Sequence, residues 1–313
     1  MRVGENLAKN MQNVAQPKRI TVAVLSFVPF LSGYYAEALE VLKVCLGHIW
    51  QNTDLPFDLL VFDNGSCQET REFLLSAERQ GKIQYLILSE KNVGKGGAWN
   101  MIFQGAPGEI IAYCDGDAML YKGWLSACMQ VLETYPQVGM VTARPMRTDP
   151  KLFSATMKWA RANRYVKVEE GHLISFEDFR DFTDTMGYSP QKVKEIYSST
   201  RDVRLEYKGL TAYAGANHFQ FIGWKKVLSE FTPFVMNKPL GQVRQLDERM
   251  NKSGYLRLMT SASLVQNMSN RVPKNVPPAT GADQSKNSWK DFPLIKKTLM
   301  GIYNRIFKIY FEK

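Results

Sequence analysis

Four nearly continuous apolar runs mark the first part of the chain: ITVAVLSF from Ile20, FDLLVFD from Phe57, KIQYLIL from Lys82 and EIIAYCD from Glu109. Runs of Val, Ile, Leu, Phe and Tyr without polar alternation read as strands covered on both faces, the mark of a parallel sheet. Between them, Tyr35 to Ile49, Glu69 to Gln80 and Gly96 to Gln104 read as helices. A helix over Gly123 to Thr134 and a strand over Val138 to Thr142 complete a doubly wound first half.

The pattern changes between Arg144 and Lys208, where mixed charges and scattered aromatics recur at helical spacing with no buried-strand run. This segment reads as a helical insertion over the active site. Strands return at Leu210 to Ala214 and His218 to Ile222, and a helix around Gln245 to Lys252 ends at Gly254 as at a C-cap. The expected organisation is a tail (1–19), an α/β unit (20–269), a linker rich in Pro, Asn, Ser and Gly (270–288) and a final helix (289–313). The unit divides into a first half (20–143), the insertion (144–208) and a second half (209–269).

With 313 residues, 45% of them hydrophobic, the chain can bury one large core or two modest ones, which excludes wholesale disorder. No secretory signal is expected from MRVGENLAKNMQNVAQPKRI, and the longest apolar stretch, Ile20 to Tyr35, is broken by Pro29 and Gly33. Cys45, Cys67, Cys114 and Cys128 form no CxxC pair and suit reduced thiols in a cytoplasmic protein. A formal charge of +10 calls for anionic partners. Nucleic acid is not expected among them, since no RNP, helix-turn-helix or zinc-finger pattern occurs. An anionic membrane is. Between Phe292 and Phe311, Ile295, Leu299, Ile302, Ile306 and Tyr310 recur at helical spacing beside Lys296, Lys297, Arg305 and Lys308. Such a helix would hold the protein peripherally on the inner face; docking on its own core, or on a second copy in a homo-oligomer, is the alternative.

In an open parallel sheet, ligands sit at the carboxyl ends of strands. DLLVFD ends in Asp63-Asn64-Gly65-Ser66 and EIIAYCD in Asp115-Gly116-Asp117. Either alone is equally a strand-ending turn. Two carboxylates one residue apart after a buried strand repel each other, however, and Mg²⁺ or Mn²⁺ relieves this by binding one or two carboxylates plus substrate phosphates. Between these motifs, Lys91-Asn92-Val93-Gly94-Lys95-Gly96-Gly97-Ala98-Trp99-Asn100 is a glycine-rich turn entering a helix, where backbone amides and Lys95 can face an anion. It is not a P-loop.

In order and spacing, Leu25-Ser26-Phe27, the intact DNGS from Asp63, the set Asn92, Gly94, Ala98 and Asn100, and the DxD of Asp115 and Asp117 resemble the family 2 glycosyltransferases. The resemblance implies a GT-A fold, an α/β Rossmann-like, mainly parallel sheet flanked by helices. It also implies transfer from a nucleotide-diphosphate sugar to a glycan or lipid-linked acceptor, with inversion and a metal ion. Ser26 and Phe27 would then line the nucleotide pocket, Asp63 would contact the base and Asp117 would reach the metal-bound diphosphate; Leu25, Asn64, Asn92, Gly94, Lys95, Asn100, Asp115 and Gly116 complete the donor set. A methyltransferase shares the strand-Asp-Gly pattern but not its GxGxG loop. A catalytically silent nucleotide-sugar or glycan-binding module of the same fold is the rival.

On the acceptor side, Ala214 to Phe221 fits the family's glycine-containing strand. His218 there is either a structural residue or an acceptor contact. Trp99, Trp124, Trp159 and Trp224 can pack a core or stack on sugars, and Trp159, in the insertion, is the one expected to reach a sugar. The family's base usually stands in an acidic pair near a helix start, followed by Leu, Arg and Gly with an aromatic. Here Arg249, Gly254 and Tyr255 fit, but Gln242 and Val243 occupy the acidic positions. Asp247 and Glu248 are the carboxylates left on this helix. Adjacent helical residues point about 100° apart, so only one faces the acceptor. Asp247, with the shorter side chain, is the expected base and Glu248 a surface charge. The alternative places the base in the insertion, at Glu169, Glu177, Asp178 or their neighbours.

Overall fold

The computed structural model describes residue 4 and residues 6–10, 13–236 and 243–273. The expected helix at 289–313 and most of the linker lie outside the described residues.

The chain alternates strands and helices through its first half: β1 Ile20–Ser26, α1 Ala38–Asn52, β2 Phe57–Asn64, α2 Gln68–Arg79, β3 Tyr85–Ser89, α3 Gly94–Gly105 and β4 Ile110–Asp115. A short strand β5 (Ala118–Leu120), helix α4 (Trp124–Thr134) and β6 (Val138–Thr142) follow. The segment after Arg144 holds α5 Ser154–Ala162, β7 Lys167–Gly171, α6 Phe176–Thr183, α7 Pro190–Ser199 and β8 Asp202–Tyr207. Then come β9 Leu210–Ala214, β10 Gln220–Trp224, α8 Lys225–Ser229, α9 Val243–Lys252, β11 Leu256–Thr260 and β12 Val265–Asn267.

Ten strands form one sheet in the order β3-β2-β1-β4-β10-β6-β11-β9-β8-β7, and β12 pairs with β5 in a second. The expected mainly parallel sheet holds in direction: β3, β2, β1, β4, β6, β11 and β8 run one way and β10, β9 and β7 the other. Side chains alternate between two apolar layers. Val22 and Val24 of β1 join α1, α2 and α4 on one face, while Ala23 joins α3, α8 and α9 on the other. Helix α9 ends as Gly254 predicts. Gly254 has φ +84°, its amide donates to Asn251 O and that of Tyr255 to Met250 O, the paired bonds of a Schellman cap.

The insertion is helical with an addition: β7 and β8 extend the main sheet at its edge. Asp202-Val203-Arg204-Leu205-Glu206-Tyr207 alternates apolar and charged residues, so a search for continuous apolar runs passes over it. Arg147 and Asp202, near the two ends of the segment, form a buried ion pair at 2.8 Å. Asp202 also accepts from the Leu173 and Ile174 amides, and the Arg147 guanidinium lies 4.1 Å from the Tyr197 ring centre. A second buried guanidinium, Arg144, donates to Val265 O, Gln266 Oε1 and Asp178 O, tying β6, β12 and α6 together.

Candidate active site

The sheet brings the two aspartate motifs to either side of one strand end. Ser26, the last residue of β1, is in register with Asp63 of β2, and Leu25 with Asp115 of β4. Asp63 and Ser26 are buried, and Asp63 Oδ1 and Ser26 Oγ have no hydrogen-bond partner. An unpaired buried polar group costs about 1–3 kcal/mol, so two side by side at a strand end point to an absent ligand. The other oxygen of Asp63 accepts from the Ser66 amide at 3.2 Å, and Arg71 Nε approaches it to 3.5 Å without a hydrogen bond.

The rest of the DNGS element braces the surrounding loops. Asn64 accepts from the Val93 amide at 2.8 Å and donates to Asn92 Oδ1 at 2.9 Å, and Asn92 Oδ1 accepts from the Gly94 amide at 2.8 Å. A Cβ on Gly65, at φ +85°, would stand 3.0 Å from Asn92 N and 3.1 Å from the Lys91 carbonyl carbon. Ser66 Oγ accepts from the Val28 amide. Asn100 spends its amide on both backbone groups of Phe234. Asn64, Asn92 and Asn100 thus bond mainly to nearby backbone groups, as short amide side chains readily do. Phe27 packs edge-on against Tyr35, and Leu25 O accepts from the Gly116 amide.

At the end of β4, both oxygens of Asp115 are engaged: Lys95 Nζ at 2.5 Å on one and Tyr113 Oη at 2.5 Å on the other. The Lys95 ammonium also lies over the rings of Trp99 and Tyr113. Asp117 is different. Its Oδ1 is buried without a partner, and burial, followed by the charge of Asp115, pushes its pKa up to about 7 against the opposing pull of Lys95. A carboxylate held this way gains most from a cation brought to it. Among the described residues no group of three or more His, Cys, Asp or Glu side chains is arranged to hold a metal alone. Of the two carboxylates, Asp117, with its partnerless oxygen, is the one whose chemistry suits a cation, while Asp115 is engaged by Lys95 and Tyr113. Gly116 fits closely: an added Cβ would meet Leu25 O and Leu42 Cδ1 at 3.1 Å.

Antiparallel β10 brings a third loop to this edge. The Asp115 amide donates to Phe219 O at 2.8 Å, and Asn217 exchanges backbone bonds with Thr142 Oγ1. His218, between them, has 37% of its side chain exposed and places Nδ1 3.6 Å from Asp247 Oδ2. Asp247, buried on α9, accepts from Arg257 Nη2 at 2.6 Å through its other oxygen. Arg257 also donates to Leu152 O and Ala216 O, and burial lowers its pKa. Glu248 points outward and pairs with Arg244 at 2.7 Å.

A model of the family described as Glycosyl transferase family 2 matches residues 34–196. The chain belongs to that family. The matched segment carries Asp63, the Asn92–Gly94 turn, Asp115 and Asp117. An uncharacterized glycosyltransferase of Nostoc sp. is 25% identical over 100 residues, 32% of this chain and 31% of the relative. One of Rickettsia conorii is 28% identical over 96 residues, 31% of this chain and 15% of the relative. The chain thus spans less than a third of the length of the curated relatives it matches. Among solved structures, the mannosyltransferase PcManGT of Pyrobaculum calidifontis, in complex with GDP-Man and Mn²⁺, has a TM-score of 0.48 at 19% identity. That likeness covers 83% of this chain and 59% of the other. S. aureus TarS has a TM-score of 0.42 at 14% identity, with 80% and 60% covered.

In this family 2 chain, two groups of expected site residues are dispersed. Trp159 makes ring contacts with Tyr135 and Tyr207. Glu169 pairs with Arg204 across β7 and β8. Asp178, with Asp181 and Asp184, lines a cleft of about 740 Å³ together with Tyr121 of the β5 loop, Gln266 of β12 and Arg144. This cleft adjoins the strand pair that leaves Asp117, since the Met268 amide donates to Asp117 O. Sequence reasoning missed Tyr113, Arg71 and Arg257. Only Arg257 had a usable signal, a lone charge inside the otherwise apolar run Leu256 to Met259.

Proposed function

We propose that the chain transfers a sugar from a nucleoside-diphosphate sugar to an acceptor hydroxyl with inversion. One observation carries the reading: three buried, partnerless oxygens, on Ser26, Asp63 and Asp117, collect at the adjoining ends of β1, β2 and β4. Asp63 and Ser26 receive the nucleoside. Lys95, exchanging Asp115 for phosphate, holds the diphosphate. Asp117, with Asp115, would hold Mg²⁺ or Mn²⁺, which when bound offsets the charge growing on the leaving group. The acceptor, a glycan or lipid-linked saccharide, enters from the cleft beneath the insertion, where Tyr121 offers a ring and the aspartates accept hydroxyl protons. The pair of Asp247 and His218 supplies general-base chemistry on that side.

No helix among the described residues is long and apolar enough to cross a membrane. A lipid-linked acceptor fits attachment through the basic segment beyond Ser288, which flotation on anionic vesicles with and without that segment tests.

Calorimetry with UDP-, GDP- and dTDP-sugars, with and without Mn²⁺, tests the donor site. One donor class should bind, and both Asp63→Ala and Asp117→Ala should abolish its metal-dependent binding. Retained wild-type affinity in both variants overturns the reading. Release of nucleoside diphosphate by the wild type separates a transferase from a silent binding module.

A further inference from the structure

We propose that His218, held by Asp247, is the group that removes the acceptor proton. The inference rests on the transferase reading and assigns its base. Asp247 is poorly placed for that work. It is 4% exposed, and one of its oxygens is taken by the Arg257 guanidinium at 2.6 Å. That oxygen is committed to a buried guanidinium and has no free path to an acceptor hydroxyl. Its second oxygen faces not open space but His218 Nδ1, at 3.6 Å. A slight rotation of the imidazole closes that gap to a hydrogen bond, and catalytic bonds of this kind are commonly long before substrate binds.

With Nδ1 turned toward Asp247, Nε2 is the basic nitrogen, on a ring that is 37% exposed. The backbone fixes where that ring stands. Asn217 is bonded to Thr142, and Phe219 O receives the Asp115 amide, so His218 projects from the loop that buttresses the DxD element. Phe219 in turn packs against Phe182 of α6, the helix whose Asp178 and Asp181 line the acceptor cleft. The loop that carries His218 therefore touches both the strand end bearing Asp115 and the helix that lines the cleft. Among the described residues, Asp247 is the acidic group within ion-pairing distance of the ring, with Arg257 behind it.

The step balances without an added reactant. As the acceptor oxygen bonds to the anomeric carbon, Nε2 takes its proton. The bond from that carbon to the diphosphate oxygen breaks, and its electron pair leaves with the nucleoside diphosphate. The imidazolium is stabilised by Asp247 and returns its proton to solvent. Asp247 is a positioning residue in this scheme, and Arg257 fixes Asp247.

The test uses the full chain, saturating Mn²⁺, and the nucleotide sugar from the UDP, GDP and dTDP panel that binds tightest, with water as acceptor. His218→Gln should keep wild-type donor affinity by calorimetry and lose about 10²- to 10⁴-fold in nucleoside diphosphate release. The wild-type rate should have an acid limb that His218→Gln lacks, since only the neutral ring can take the proton. Asp247→Asn should keep donor affinity and part of the activity, lowering kcat rather than raising KM, because the ring is no longer held. Asp247→Glu should recover much of kcat, and it serves alone if Asp247→Asn fails to fold. Near-normal release by His218→Gln, with the acid limb intact, overturns the proposal and returns the base to Asp247. Failure of the wild type to bind any donor sinks the transferase reading, and the histidine's role with it.

Discussion

Asp247→Ala is expected to be among the most damaging single substitutions in the protein, for a reason unrelated to catalysis. It removes the carboxylate 2.6 Å from Arg257 and leaves a guanidinium that is 1% exposed with two carbonyls for company and no counter-charge. Breaking a buried pair from one side costs about 3–5 kcal/mol. An internal control lies one residue away. Glu248 and Arg244 are equally close, at 2.7 Å, but more than half exposed, so Glu248→Ala should cost about 0.2–1 kcal/mol. Equal distance and unequal cost isolate desolvation as the cause. Equilibrium urea unfolding measures both, and in a thermal scan the buried variant should melt about 6–20 °C lower at about 2–4 °C per kcal/mol. Asp247→Leu combined with Arg257→Met should recover much of the loss, since replacing both partners by apolar groups is often neutral. A cost below about 1 kcal/mol for Asp247→Ala, or a double variant no better than the single, would refute the argument.

Other outcomes follow from the donor side and the insertion. Gly65→Ala forces a side chain into a positive-φ turn against the backbone of Lys91 and Asn92, and should cost about 1–3 kcal/mol by urea unfolding while weakening nucleotide binding. Trp159→Ala should lower stability by about 3 kcal/mol and leave donor affinity unchanged by calorimetry, because its neighbours are Tyr135 and Tyr207. Asp117 has a folded-state pKa raised to about 7, so its contribution to stability without metal is full below its unfolded pKa, near 3.8, and lost as pH rises through 7. The stability of the wild type relative to Asp117→Asn should therefore decline across that window, and Mn²⁺ should offset the decline; a flat difference from pH 4 to 8 would count against a desolvated carboxylate.

The donor half was legible because its strands are buried on both faces and write themselves as uninterrupted apolar runs. Asp63 and Asp115 stand out at the ends of such runs. Gly254 could be named as a helix stop for an equally local reason. What failed to show depends on partners distant in sequence. Nothing near Arg147 announces Asp202, and nothing near Asn100 announces the Phe234 backbone. Strands β7 and β8 were hidden because an edge strand needs only alternate apolar residues, and Lys167-Val168-Glu169-Glu170-Gly171 offers one. On α9, the angle between neighbours separates Asp247 from Glu248 without saying which is buried, and the guanidinium that occupies Asp247 comes from the next strand.

The ion pair of Arg147 and Asp202 joins the two ends of the insertion at its neck. The segment between them is closed off at its neck by this pair and tied to the rest of the chain at its far side through Arg144 and Arg257. Its length can change with a small entropic penalty, since closing a longer loop adds only about 0.6 kcal/mol per doubling. The loops that hold Ser26, Asp63, Asp115 and Asp117 all lie ahead of this pair in the chain. Changes of length in its exposed turns can therefore be absorbed on the near side of these ties, away from the strand ends that carry Ser26, Asp63, Asp115 and Asp117.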